Sequence, residues 1–136
     1  VEGEVIASIR AGLVILLGIG PNDTARTAED LAEQIAQLRI FPDPEGKMNL
    51  SVLDTGGEAL VVPQFTLYAD TSRGHRPSFT GAAPPDRARK LVDEFKRFLE
   101  KFGVPTGTGR FGAHMLVQIE NDGPVTITLD TEAGDK

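Results

Sequence analysis

The run RAGLVILLGIG, residues 10–20, decides how the rest of the chain is assembled. It is the longest apolar run in a sequence of 136 residues. It is too short for the roughly 20 residues of a membrane-spanning helix and reads as a buried strand. A strand around residues 4–9 precedes it, and Ala11-Gly12 between the two reads as a hairpin turn. A chain that opens on a hairpin predicts antiparallel neighbours.

Working outward, PNDTARTAEDLAEQIAQLRIF (21–41) reads as a helix. Asp23 or Thr24 suits its N-cap, acidic residues fill the early turns, and Leu31, Ile35 and Leu38 share one face. DPEGK (43–47) is a turn, MNLSVLD (48–54) a short strand, and TGGEALVVPQFTL (55–67) a turn and an apolar strand. Pro63 marks where pairing ends on one side of that strand. YADTSRGHRPSFTGAAPP (68–85) has the chemistry of a long functional or flexible loop. Pro84-Pro85 opens a second helix with a buried stripe of Ala88, Leu91, Val92, Phe95, Phe98, Leu99 and Phe102. Gly103 and Pro105 end it. AHMLVQIEN (113–121) and VTITLD (125–130) read as the last two strands. The expectation is one domain over residues 1–136, of α+β class: a mostly antiparallel, curled or barrel-like β-sheet with two main helices.

A content of 40% hydrophobic and 25% charged residues is that of a globular chain. The absence of cysteine excludes disulfides and thiolate metal sites and fits a cytoplasmic setting. No secretory signal or membrane span is expected. The sequence opens on Val1 into what reads as half a hairpin, VEGEV, which suggests that the natural start is absent. The net charge of −6 hides an asymmetry: residues 71–110 carry nine Lys/Arg against four Asp/Glu, and the remainder five against sixteen. Such a segment could face an anionic partner, or merely decorate a solvated helix.

Familiar catalytic devices are missing. His75 and His114 are the only histidines, and neither lies in a helical two-histidine metal motif. No G-x-S-x-G elbow, Walker loop or dinucleotide fingerprint occurs, so no metal or cofactor is expected. An enzyme built from this inventory would act on a labile bond through backbone donors and positioning.

ENDGPVTITLD (120–130) sets Gly123-Pro124 at the mouth of the last strand, where a plain turn and a piece of a site are both open readings. PQFTLYAD (63–70), RPSF (76–79), TGRFGA (108–113) and NDGPVT (121–126) together resemble the D-aminoacyl-tRNA deacylase family. Its two signature motifs are Ser-Gln-Phe-Thr and Asn-x-Gly-Pro-x-Thr. The second is intact over residues 121–126, and the first stands as Pro63-Gln64-Phe65-Thr66, with its leading serine replaced. LRIF, GKMNLS and GGEALVV follow in the family's order, and the likeness spans residues 1–130. The family's opening strand, which carries an arginine thought to brace the Gly-Pro loop, is not matched.

The resemblance implies a homodimeric enzyme that hydrolyses the ester joining a D-amino acid to the 3′-terminal adenosine of tRNA. By the same resemblance Gln64, Phe65 and Thr66 line the carbonyl side and Ala88 lies near the scissile end. Phe111 stacks on adenine with Met115 beside it. Asn121, Gly123, Pro124, Val125 and Thr126 form a substrate-binding turn in which a cis Gly123-Pro124 bond rejects L-amino acids. Thr66 reads as a positioner, since no base adjoins it in sequence. Pro63 leaves open a related deacylase branch acting on other mischarged tRNAs. A non-catalytic nucleic-acid-binding dimer is the reading from another class.

Overall fold

A computed structural model of the protein describes residues 1–133. Its elements are β1 (Gly12–Leu17), α1 (Ala25–Gln37), β2 (Phe41–Pro42), β3 (Met48–Leu50), α2 (Val52–Thr55), β4 (Glu58–Pro63), α3 (Pro85–Lys101) and β5 (Thr106–Thr108). Short 3-10 turns cover Phe65–Tyr68 and Thr131–Ala133.

The class is α+β, but the expected sheet is overturned. The larger sheet has three strands in the order β1-β4-β5, all parallel, and β2 with β3 forms a small antiparallel pair. Neither sheet closes or curls into a barrel, and there are three helices among the described residues, one of them a single turn. The hairpin reading failed at Gly12. That residue is not a turn but the first of β1, paired with Glu58. A Cβ added there would stand 1.9 Å from the Glu58 carbonyl oxygen, so only glycine allows this approach. Parallel strands need a long crossover, and helices supply it: α1 lies between β1 and β4, and α3 between β4 and β5.

The register sets Leu13, Ile15 and Leu17 beside Ala59, Val61 and Pro63 on one face of the sheet. Against that face pack Ala28, Ala32, Ile35 and Ala36 of α1 with Ala88, Leu91, Val92, Phe95 and Leu99 of α3. The expected stripe of α3 is therefore buried at five positions, with Phe98 and Phe102 half-buried at its margin. Thr24 caps α1 in a reciprocal box with Thr27. The first turn of α1 holds no acidic residue, and Glu29 and Asp30 follow in the second.

The strand expected over 48–54 stops early, because the Ser51 hydroxyl accepts from the Asp54 N–H and caps α2. The Asp54 carboxylate takes the Ser51 N–H in return, which holds its pKa below the usual carboxylate value. The apolar strand expected over 55–67 ends at Pro63. Residues 4–9, 113–121 and 125–130 join no ladder among the described residues. From Phe111 to Gln118 burial still alternates with the period of a strand. No helix among the described residues is long and apolar enough to cross a membrane.

Candidate active site

The C-terminal ends of the three parallel strands converge, the usual place for a site in such a sheet. The Gln64 N–H donates to the Leu17 carbonyl at 2.8 Å, and the Gly109 N–H to that of Val61 at 2.9 Å. These bonds carry the ladder one step past each strand. The Ala83 N–H donates to the Ile19 carbonyl at 2.9 Å, so the entry to α3 is fastened to the same edge.

Beyond Pro63 the chain tightens into its 3-10 turn. The N–H of Leu67 donates to Gln64 and that of Ala69 to Thr66. The N–H groups of Phe65 and Thr66 have no backbone acceptor among the described residues, as expected at the start of such a turn. The Gln64 side-chain amide donates to Thr66 Oγ1, leaving the threonine hydrogen free to donate elsewhere. No base hydrogen-bonds to Thr66 among the described residues. Phe65 is 59% exposed and meets Phe79 edge-on, with centroids 5.0 Å apart.

Two residues that sequence reasoning missed shape this turn. A Cβ at Gly18 would lie 3.1 Å from Tyr68 Cε2 and 3.3 Å from both the Gln64 carbonyl oxygen and Leu67 Cβ. Glycine at the end of β1 therefore lets the turn close against the sheet. Tyr68 is partly buried, and its phenol is pushed up to about 12, first by burial and then by the negative charges of Asp23, Glu132 and Asp130. The glycines spaced through GLVILLGIG were the available signal, since a glycine within a strand pattern marks close backbone approach.

Phe111 is half-buried, and the Arg89 guanidinium carbon stands 5.2 Å from its ring centroid. Met115 belongs to the same cluster. A Cβ at Gly109 would lie 2.5 Å from Met115 Sδ and 3.7 Å from Pro63 Cδ, so the thioether occupies the space that glycine leaves. Ala88 is buried within the helix-facing core, its N–H bonded to the Pro84 carbonyl.

The turn at 121–126 is held by one side chain. Asn121 Oδ1 accepts from the Val125 N–H at 3.0 Å, and its Nδ2 donates to Thr126 Oγ1 at 3.2 Å. That accounts for the spacing of asparagine and threonine across the motif. The Gly123-Pro124 bond is cis, and Gly123 has φ of +148°. A Cβ there would come within 3.0 Å of Val125 Cγ2. Gly123 and Pro124 are exposed, and no hydrogen bond among the described residues ties them to Gln64, Phe65 or Thr66 of the same chain. Strands, loop 109–115 and the 3-10 turn thus come together, while the Gly-Pro turn is hydrogen-bonded only within residues 121–126 among the described residues.

Neither of the two most evident cavities coincides with this cluster. One of about 330 Å³ lies between α1 and residues 129–131, and one of about 450 Å³ beside Arg10, Phe41 and Gly57. Among the described residues no group of three or more His, Asp or Glu is placed to hold a metal ion.

A strand-end site of free main-chain donors, one oriented hydroxyl and aromatic faces suits chemistry on an activated acyl group or the binding of nucleobases. The chain belongs to the D-Tyr-tRNA(Tyr) deacylase family, whose model matches residues 1–130. It is 54% identical over 133 residues to a D-aminoacyl-tRNA deacylase of Lacticaseibacillus casei, covering 98% of this chain and 90% of that one. Over 131 residues it is 59% identical to the D-aminoacyl-tRNA deacylase of Roseiflexus castenholzii, covering 96% and 83%. Among solved structures it resembles a c-Myc DNA unwinding element binding protein, with a TM-score of 0.88 and 41% identity over 94% of this chain and 87% of that one. A probable eukaryotic D-amino acid tRNA deacylase shares the fold at a TM-score of 0.58 and 17% identity, over 75% of each chain.

Proposed function

We propose that this protein hydrolyses the ester between a D-amino acid and the 3′-terminal ribose of tRNA, in the cytoplasm where tRNA is charged. The supporting observation is the free pair of N–H groups at Phe65 and Thr66, set at the strand ends within a family-matching motif. Water adds to the ester carbonyl, and the oxygen that gains negative charge is held by those two donors. The C–O bond to the ribose then breaks, the 3′-hydroxyl leaves with a proton, and a free D-amino acid departs. An aminoacyl ester needs no strong nucleophile, which agrees with a Thr66 hydroxyl oriented by Gln64 but not paired with a base. Phe111 offers adenine the ring face that Arg89 does not cover, with Met115 alongside. Ala88 supports the scissile end from within the core.

The working unit in this reading is a homodimer. Val5 is 85% exposed and Leu116 82%, on segments that lack ladder partners, and Ile119 and Ile127 are also exposed. A second copy would cover them and bring its Gly123-Pro124 turn to the Gln64–Thr66 segment. The main chain of that turn would then face the substrate α-carbon, and an L-side chain would collide with it whatever its type. Asn121, Val125 and Thr126 hold the turn in shape.

Purified protein should release D-tyrosine from D-Tyr-tRNA and spare L-Tyr-tRNA. Sedimentation should give a dimer at micromolar concentration; a fully active monomer would sink the shared-site reading. The likeness to a DNA unwinding element binding protein favours one second reading, a nucleic-acid binder without catalysis. Binding of tRNA with no hydrolysis of either ester would select it. Hydrolysis of other mischarged tRNAs in preference to D-Tyr-tRNA would instead point to the branch that Pro63 suggests.

A further inference from the structure

The basic segment 71–110 is not uniformly free to meet a partner. Arg87 donates to the Asp23 carbonyl, Arg89 lies over Phe111, and Lys96 and Lys101 pair with Glu100 and Glu29. The loop ahead of α3 is different. Asp70 and Ser78 exchange both backbone hydrogen bonds, at 2.7 and 2.9 Å, and pinch residues 71–77 into a closed arm. The Asp70 carboxylate turns inward and accepts from the Ser72 N–H and hydroxyl at 2.9 and 2.6 Å. The one acidic side chain of the arm is thus engaged at its base. Gly74, with φ of +151°, bends the tip. Arg73, His75 and Arg76 are exposed there, and none has a side-chain hydrogen bond or ion pair among the described residues. Directly after the pinch comes Phe79, set edge-on against Phe65 of the active-site turn.

From this arrangement we propose that the arm at residues 70–78 grips the ribose–phosphate backbone of the tRNA acceptor end, 5′ to the terminal adenosine. The inference depends on the deacylase reading for the direction in which the RNA runs. Two forked guanidiniums suit phosphate oxygens, and residues 71–77 hold no Phe, Tyr or Trp for a base to stack on. Three residues of extended chain span about 10 Å, enough to reach beyond a nucleotide seated at Phe65 and Phe111. The remainder of the chain carries sixteen acidic against five basic residues, so its repulsion would steer a polyanion to the 71–110 segment, of which the arm is the part that runs directly into the Phe65–Phe79 contact.

The test is an Arg73→Gln, Arg76→Gln double variant of the whole chain. Both side chains are exposed and unpaired, so its thermal midpoint should match the parent's. Binding of uncharged tRNA should weaken at least tenfold. The slope of log K against log salt should fall by about 1.4, or about 0.7 for each single-strand phosphate that is no longer neutralised. With D-Tyr-tRNA the effect should appear in KM, whereas hydrolysis of 3′-O-D-tyrosyl-adenosine, which has no phosphate, should stay within twofold. An unchanged salt slope, equal impairment on both esters, or a changed oligomeric state with tRNA binding intact would each overturn the arm's role, the last by assigning it to contact between copies. A parent protein that hydrolyses neither ester would refute the deacylase reading alone, because the salt slope with uncharged tRNA still decides the arm.

Discussion

Gly18 gives the sharpest handle on how the fold sets the chemistry. An alanine there puts a methyl 3.1 Å from Tyr68 Cε2 and 3.3 Å from the Gln64 carbonyl and Leu67 Cβ, where ordinary contact begins at 3.4 Å. Two of these three neighbours are fixed by the backbone of the 3-10 turn and must give by about 0.1 Å, and the Tyr68 ring by about 0.3 Å, a strain on the order of 1 kcal/mol. A catalytic group misplaced by 1 Å costs about 100-fold. Scaled to shifts of about 0.1 to 0.3 Å, kcat should drop by about 1.5- to fourfold while KM holds, since in the proposed mechanism the Phe65 and Thr66 donors act on charge that develops only in the transition state. Gly18→Val, with two further methyls against the same atoms, should approach 100-fold. Gly81→Ala is the control: its Cβ would reach Tyr68 Cδ1 at 3.7 Å, an ordinary contact, and the rate should not change. Steady-state hydrolysis of D-Tyr-tRNA beside thermal melts decides the matter. A Gly18→Val protein that is folded and fully active would refute the claim that this close approach positions the donors.

Thr66→Ala should keep activity within about tenfold of the parent, because in the proposed mechanism its hydroxyl orients rather than attacks; total loss, or an acyl group trapped on Thr66, would reverse that assignment. Phe111→Ala should raise KM for D-aminoacyl-tRNA by about 5- to 150-fold, the equivalent of 1–3 kcal/mol of stacking, with kcat little changed. Tyr68 is the only tyrosine, so phenolate absorbance reports it alone, and its midpoint should lie near 12 in the folded protein against 10.0 for the free group. The unfolded chain ionises first as pH climbs from 10 toward 12, so native stability should fall across that window and be insensitive to this group below it. Asp23→Asn should lower the midpoint, and a Tyr68 that titrates at 10 while the protein is folded would contradict the burial described.

Local chemistry in the sequence was legible where the cause is local. Thr24 and the Pro84-Pro85 pair mark helix starts because caps and first-turn prolines act within a few residues. The stripe from Ala88 to Leu99 follows from helical periodicity alone. What failed was pairing between distant segments. Nothing near Gly12 announces Glu58 as its neighbour, although strands alternating with long helices were a signal for a parallel sheet. The strands expected at 4–9, 113–121 and 125–130 alternate well, yet they find no ladder among the described residues, and alternation cannot name a partner. Much the same divides the candidate site. The motif at 63–66 and the Asn121 turn stand out in sequence, whereas Gly18, the Arg89–Phe111 stack and the Phe79–Phe65 contact exist only once the strand ends are brought together.

The middle position of β4 has a consequence for how the chain reaches its native state. Among the described residues its two neighbours pair with no strand but β4 itself, and each is separated from it by a helix-bearing connection. During synthesis β1, bearing the most apolar run in the sequence, leaves the ribosome some forty residues ahead of β4. Helix α1 can form in the interval, since its backbone hydrogen bonds are local, and its apolar face belongs to the same core as β1 and could shield it meanwhile. Folding is thus ordered by topology: a helix and β1 first, then the β1-β4 pair, and last β5 once α3 has followed. Changes that weaken the apolar face of α1 would act first on yield during this wait, ahead of any effect on the finished protein.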